Sequence, residues 1–201
     1  MKKDNHIQAP MGETTVLLHT CCAPCSSAII EAMLKNGITP VIYYCNPNIY
    51  PLEEYEIRKN ECSRYAQSLG LEIVDADYDH DNWLEAVRGL EDEPERGGRC
   101  LKCFKLRLLR TAQYAAERGI KVITTTLASS RWKSLNQINE AGLWACEAIN
   151  TASSADADKA VVWWDRNWRR NGLQERRLQI IKEYDFYNQL YCGCEFSMRK
   201  D

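Results

Sequence analysis

The sequence has no apolar run approaching the roughly 18 residues that a membrane span requires, so no membrane partner is expected. It has no excess of one charge: 26 Lys and Arg stand against 28 Asp and Glu, a formal net charge of −2. The field of the whole molecule therefore gives no argument for nucleic-acid binding, and only local basic patches are left to supply one. Neither a GxxxxGK[ST] loop nor a GxGxxG fingerprint occurs, which argues against a Walker-type phosphate cradle and a dinucleotide cofactor. A Ser-His-Asp arrangement finds no support either. The start, Met1-Lys2-Lys3-Asp4-Asn5-His6, carries charge with no apolar stretch behind it. It does not read as a secretory signal; a cytoplasmic location is expected, with residues 1–13 as a flexible tail.

What is abundant is cysteine, ten in 201 residues. An even count suits a disulfide framework in a short exported chain. Without an export signal, and with length enough for a real core, clustered cysteines read instead as metal ligands or redox thiols.

The chain is punctuated in a regular way. Helix-like stretches end at Gly37, Gly70 and Gly119, and β-branched runs follow at Ile38-Thr39-Pro40-Val41-Ile42, Leu71-Glu72-Ile73-Val74 and Ile120-Lys121-Val122-Ile123. Thr15-Val16-Leu17-Leu18-His19 is a fourth such run. Helical spacing links Cys62, Tyr65, Ala66 and Leu69; Phe104, Leu108, Ala112 and Ala115; Ile138, Ala141, Gly142, Ala145 and Ile149; and Leu173, Ile180, Ile181 and Tyr184. Strands alternating with helices predict an α/β fold with a parallel sheet. Thr151 to Lys159 reads as a polar loop, and the stretch from Trp163 as an appended subregion of a single domain, residues 14–201. In such a sheet, ligands bind beyond the carboxyl ends of the strands. Cys21-Cys22-Ala23-Pro24-Cys25, Cys45-Asn46-Pro47-Asn48-Ile49, Asp75 to Asp81 and Thr124 to Leu127 would all gather at that edge.

Three cysteine groups stand out. Cys21-Cys22-x-x-Cys25 enters a helix, where the dipole favours the thiolate that metals require. Cys100-x-x-Cys103 opens another helix; alone it fits half a zinc site, half a cluster site or a redox dithiol, but with the first group it supplies the four thiolates of a cluster. Cys192-Gly193-Cys194 reads as a labile redox pair, with ligation of a second metal as the alternative. Cys45, Cys62 and Cys146 read as packing residues, and His19 as a satisfied core histidine. His80 lies in an acidic loop.

These residues resemble the cobalamin-independent epoxyqueuosine reductases. The motifs are His19-x-Cys21-Cys22-Ala23-Pro24-Cys25-Ser26; Tyr44-x-Asn46-Pro47-Asn48-Ile49-x-Pro51-x-x-Glu54-Tyr55-x-x-Arg58; Arg99-Cys100-x-x-Cys103-Phe104-x-Leu106-Arg107; Thr125-Thr126-Leu127; and Tyr191-Cys192-Gly193-Cys194-x-Phe196-Ser197. They span residues 15–197 in order. The resemblance implies a HUP-like three-layer α/β sandwich with a C-terminal helical appendage. It implies the last step of queuosine synthesis in tRNA, in which the epoxide is reduced to the alkene and its oxygen leaves as water. It implies a 4Fe-4S cluster on Cys21, Cys22, Cys100 and Cys103, a redox-active pair at Cys192 and Cys194, and a second iron held by Cys25 with Cys192 and Cys194. The expected partners are tRNA carrying epoxyqueuosine at the wobble position and an electron donor. Two basic stretches, Arg99 to Arg110 and Arg166 to Arg177 with Trp168 between, are the expected RNA contacts. Two other readings are carried: a cluster-dependent tRNA sulfur transferase, which would want the missing phosphate loop, and a zinc-stabilised RNA-binding module.

Overall fold

The computed structural model describes residues 6–152 and 160–198. Five strands, β1 (Thr15–His19), β2 (Thr39–Tyr44), β3 (Ile73–Asp75), β4 (Val122–Thr125) and β5 (Val162–Trp163), form one sheet in the order β3-β2-β1-β4-β5. All pairings are parallel. β1 is central, with Leu17 opposite Val41 on one side and Ile123 on the other. Val16, Leu17 and Leu18 are fully buried, as a strand covered on both faces must be.

The helices are α1 (Ala23–Lys35), α2 (Leu52–Ser68), α3 (His80–Ala86), α4 (Gly98–Glu117), α5 (Leu135–Ala152) and α6 (Leu173–Glu183). α1 packs on α2 and α6; α4 packs on α5 and α3. Two helical layers thus enclose the sheet: the α/β fold with a parallel sheet expected from the alternation forms, as the three-layer sandwich that the resemblance implies. The helix–Gly–strand punctuation has one physical cause. After α1, α2 and α4 the glycine takes a left-handed turn, and the next residue donates back into the last turn: Ile38 to Met33 O at 3.0 Å, Leu71 to Ala66 O at 3.0 Å, Ile120 to Ala115 O at 2.8 Å.

The sequence reading stopped at four strands. The fifth comes from the start of the expected appendage, and α5 is laid on it closely. A Cβ added to Gly142 would stand 2.2 Å from the Trp163 ring, so only glycine fits there. Thr151 and Ala152, read as loop, finish α5; residues 153–159 lie outside the described residues. In the stretch read as a tail, Ile7 and Ala9 are buried in the core, and Ile7 N–H donates to Asn36 Oδ1 at 3.0 Å. Residues 1–5 of it lie outside the described residues. No helix among the described residues is long and apolar enough to cross a membrane.

Sheet order reverses direction between β1 and β4. The loops leaving these two strands, Thr20-Cys21-Cys22 and Thr126–Ser129, meet at this switch point, the position where open parallel sheets hold ligands.

Candidate metal and redox site

The first thiol group is built by a strand running directly into a helix. Cys22 is fully extended (φ −172°, ψ 160°), and Pro24 sits in the first turn of α1, where its missing N–H costs nothing. Cys25, three residues on, returns to the same side as Cys21 and Cys22. The three sulfurs lie within 4.8 Å of one another, with Cys21 and Cys22 3.8 Å apart. Thr126, just beyond β4, accepts from Cys21 N–H at 3.1 Å and reaches its sulfur at 3.3 Å. Gln189 Nε2 reaches Cys22 Sγ at 2.9 Å.

Beneath this group is a buried polar floor. His19 is fully buried, with Nε2 3.0 Å from Cys45 O and Nδ1 2.7 Å from Thr125 Oγ1. Burial, and then the Arg107 charge, pull its pKa down to about 3, so it is the satisfied neutral core histidine expected. Arg107 donates to Cys45 O at 3.2 Å and to Asn46 Oδ1, and reaches Cys103 Sγ at 3.9 Å. Asn46 in turn donates to Thr20 O at 2.9 Å.

The other thiols converge on the same place from two directions. Cys21, Cys25, Cys100 and Cys192 all line one cavity of about 620 Å³. Cys100 Sγ accepts from the Arg96 N–H at 3.3 Å, and Cys192 Sγ from Lys133 Nζ at 3.2 Å. Cys103 and Cys194 are buried and pack with Trp83 and Val87 in a separate small apolar cluster. The one-residue spacer thus sends Cys192 to the cavity and Cys194 away from it. All ten cysteines are free thiols. Cys45, Cys62 and Cys146 are buried in the main core, as packing residues.

The charges around the thiols are ordered. Hydrogen bonds from Cys22 and Cys25, aided by the Lys133 charge, hold Cys21 well below the ordinary thiol range. The same contacts, with burial, push Cys22 well above it and Cys25 up to about 12. Burial would raise Cys192, but Lys133 and Arg107 outweigh it and the thiol is lowered. Burial and then Cys103 push Cys194 up to about 11. Three sulfurs within 4.8 Å of one another, two of them held as thiols by their neighbours and by burial, form a donor set that a bound metal would deprotonate and hold.

A family model described as "Epoxyqueuosine reductase QueH" matches residues 16–200. The chain belongs to the epoxyqueuosine reductase QueH family. Among its relatives it is similar to Epoxyqueuosine reductase QueH of Histophilus somni, 48% identical over 193 residues, covering 96% of this chain and 76% of that protein. The QueH protein of Haemophilus influenzae is 46% identical with 96% and 75% covered, and that of Thermotoga maritima 32% identical with 92% and 90% covered.

Within this QueH family member the expected RNA contacts are redistributed. Arg99 and Arg107, in the first basic stretch, are 2% exposed. Arg99 caps the carbonyls of Leu90, Glu91 and Glu93. In the second stretch Arg176 is paired with Glu31 and Glu183. Trp168 is fully buried and donates to Thr124 Oγ1 at 3.2 Å, so it is a core residue and not a stacking surface. Of these stretches Arg107 and Arg177 line the cavity, where Arg58, Arg96 and Lys133 join them. Sequence reasoning missed Arg58 as an anchor. Its buried guanidinium pairs with Glu54 at 2.6 Å and donates to the carbonyls of Cys192 and Tyr191 at 3.2 and 3.3 Å. His80 has a tethering role too: Nδ1 donates to Pro47 O at 2.6 Å, and Nε2 faces Glu195 Oε1 at 3.2 Å, next to Cys194.

Proposed function

We propose that this chain reduces epoxyqueuosine in tRNA to queuosine. The observation that carries the reading is the gathering of Cys21, Cys25, Cys100 and Cys192 around one cation-lined cavity at the sheet's switch point. We also propose that residues 14–201 act as one iron–sulfur domain, and that the cluster is a 4Fe-4S centre on Cys21, Cys22, Cys100 and Cys103. Support comes from the donor set: the sulfurs of Cys21, Cys22 and Cys25 lie within 4.8 Å of one another, and Cys100 faces the same cavity. Cys25 and Cys192 share that cavity, which supports a second iron on Cys25, Cys192 and Cys194; the packing of Cys194 beside Cys103 supports it less.

When bound, an iron–sulfur cluster supplies low-potential electrons that no ordinary side chain offers. The protein's own groups manage charge and protons. Lys133 and Arg107 offset the thiolates, and Arg58 fixes the backbone that carries Cys192. Conversion of an epoxide to an alkene consumes two electrons and two protons and releases water. Oxidation of the Cys192 and Cys194 dithiol to a disulfide releases two electrons and two protons, which matches that stoichiometry, and an external electron donor restores the dithiol.

Anaerobic reconstitution with iron and sulfide tests the reading. The expected result is a brown protein that, with a chemical reductant, removes one oxygen from epoxyqueuosine in tRNA, read by nucleoside mass spectrometry. A colourless, zinc-only protein without turnover would overturn it.

A further inference from the structure

The cavity wall is strongly cationic for a chain of net charge −2: Arg58, Arg96, Arg107, Lys133 and Arg177 line it against the one carboxylate of Glu95. That imbalance favours a polyanion over an apolar protein partner. At the rim of the same cavity stands Trp132, 66% exposed. Its exposed ring stands beside the cations of this wall, an aromatic face set next to guanidinium and ammonium groups.

The loop that displays Trp132 is braced. Arg96 donates from Nε to Trp132 O at 2.9 Å and from Nη2 to Arg131 O at 3.0 Å. Arg96 itself has a left-handed backbone, φ +71°, which few non-glycine residues adopt. Its carbonyl and that of Gly97 are both held by Gln137 Nε2, at 2.8 and 3.1 Å. The Arg131 guanidinium lies 5.3 Å from the Trp132 ring centroid. These bonds fix the backbone that carries Trp132, so the ring is displayed from a braced loop beside two cations. Arg96 also donates its backbone N–H to Cys100 Sγ, so the platform and the thiol wall share one anchor.

We infer that Trp132 is a stacking platform for a nucleobase of the RNA substrate, with Arg131 and Arg96 beside it for the adjoining phosphates. Single-stranded and loop nucleotides are held in this way, by an aromatic face plus guanidinium groups. This rests on the tRNA-modifying reading above and adds the residue that seats the anticodon loop at the cavity mouth. Leu190, 96% exposed, occupies another part of the rim and offers a second apolar surface to a splayed base.

The test uses the reconstituted holoenzyme and an anticodon stem-loop carrying epoxyqueuosine. Trp132→Ala is expected to weaken stem-loop binding by about five- to 150-fold, the range of base–aromatic stacking. It should raise KM by a similar factor while leaving kcat and the iron content near wild type. Trp132→Phe should restore most of the affinity, and the quenching of indole fluorescence on adding RNA should be lost in it. Unchanged binding and KM in Trp132→Ala would overturn the inference. So would unchanged RNA binding combined with slower electron uptake from a protein reductant, which would make the platform a protein contact. If wild type converts epoxyqueuosine while Trp132→Ala is indifferent, only the stacking inference fails. If the stem-loop binds through Trp132 but no epoxide is ever reduced, the reductase reading fails and the platform stands.

Discussion

The two ends of the chain deliver thiols to one cavity by opposite means. Cys21, Cys22 and Cys25 ride on the junction of the central strand β1 with α1, with Cys25 inside the helix itself. Cys192 and Cys194 sit on irregular backbone, held by groups reaching across from elsewhere: the Arg58 side chain on the carbonyls of Tyr191 and Cys192, and the Tyr50 backbone N–H on Gly193 O at 2.9 Å. Gly193 adopts φ +106°, and a Cβ there would stand 2.8 Å from Ile49 Cγ1. A rigid junction suits permanent ligands. A tethered segment suits groups that change bonding partners during a cycle.

The contrast is broken or sharpened most strongly at the thiols themselves. Cys22→Ser is expected to abolish iron loading and turnover together, a larger loss than the roughly 10–100-fold that an outer partner of a metal ligand costs. Cys192→Ser should keep the brown chromophore and lose turnover with a chemical reductant. Loss of colour in both variants would merge the two regions into a single ligand set.

The tether comes next. Arg58→Met leaves Glu54, 8% exposed, without its cation; Tyr187 still donates to Glu54 Oε2 at 2.8 Å. Breaking such a pair should cost about 3 kcal/mol, read from the denaturant midpoint, and should open the segment around residue 192 to limited proteolysis while the β1 junction stays protected. Adding Glu54→Gln should recover part of the loss.

The smallest effect belongs to the clamp that holds α6 on α1. Hydrogen bonds from Arg176, with help from Lys35, hold the Glu31 carboxyl below the usual carboxylate range. A depressed acid stabilises the fold fully above its unfolded pKa, and that contribution disappears as pH falls through the folded pKa. Glu31→Gln should therefore lower stability at neutral pH by less than about 1 kcal/mol for so exposed a pair, read as a small fall in melting temperature. The difference from wild type should shrink on acidification. A difference that grows in acid would show the clamp to be something other than an ion pair.

How much of this was legible in the sequence depends on whether a residue advertises its neighbours. Strands β1 to β4 and the Cys21 group were legible because glycine closures and β-branched runs are local signals. β5 was not: two residues, Val162 and Trp163, cannot show a period, and their partner in α5 is a glycine. The alternation of arginines with Trp168 looked like an RNA surface because spacing alone does not say which face is buried. Trp132 carried the same kind of signal in shorter form, an aromatic between Arg131 and Lys133, in a loop with no periodicity to draw attention to it. Arg58 shows its helix partner Glu54 in the sequence, but the carbonyls that it anchors lie more than 130 residues further along the chain.

That separation bears on how the protein is made. The cavity wall contains both Cys21 and Cys192, so a nascent chain still short of its last segment presents the first three thiols to solvent with no Lys133–Cys192 side to close over them. Iron delivery to such a half-built pocket would leave an open and oxidisable centre. On the proposed iron–sulfur reading, truncation before residue 192 is expected to give a protein that takes up iron poorly and loses it to air, measured as iron content and colour.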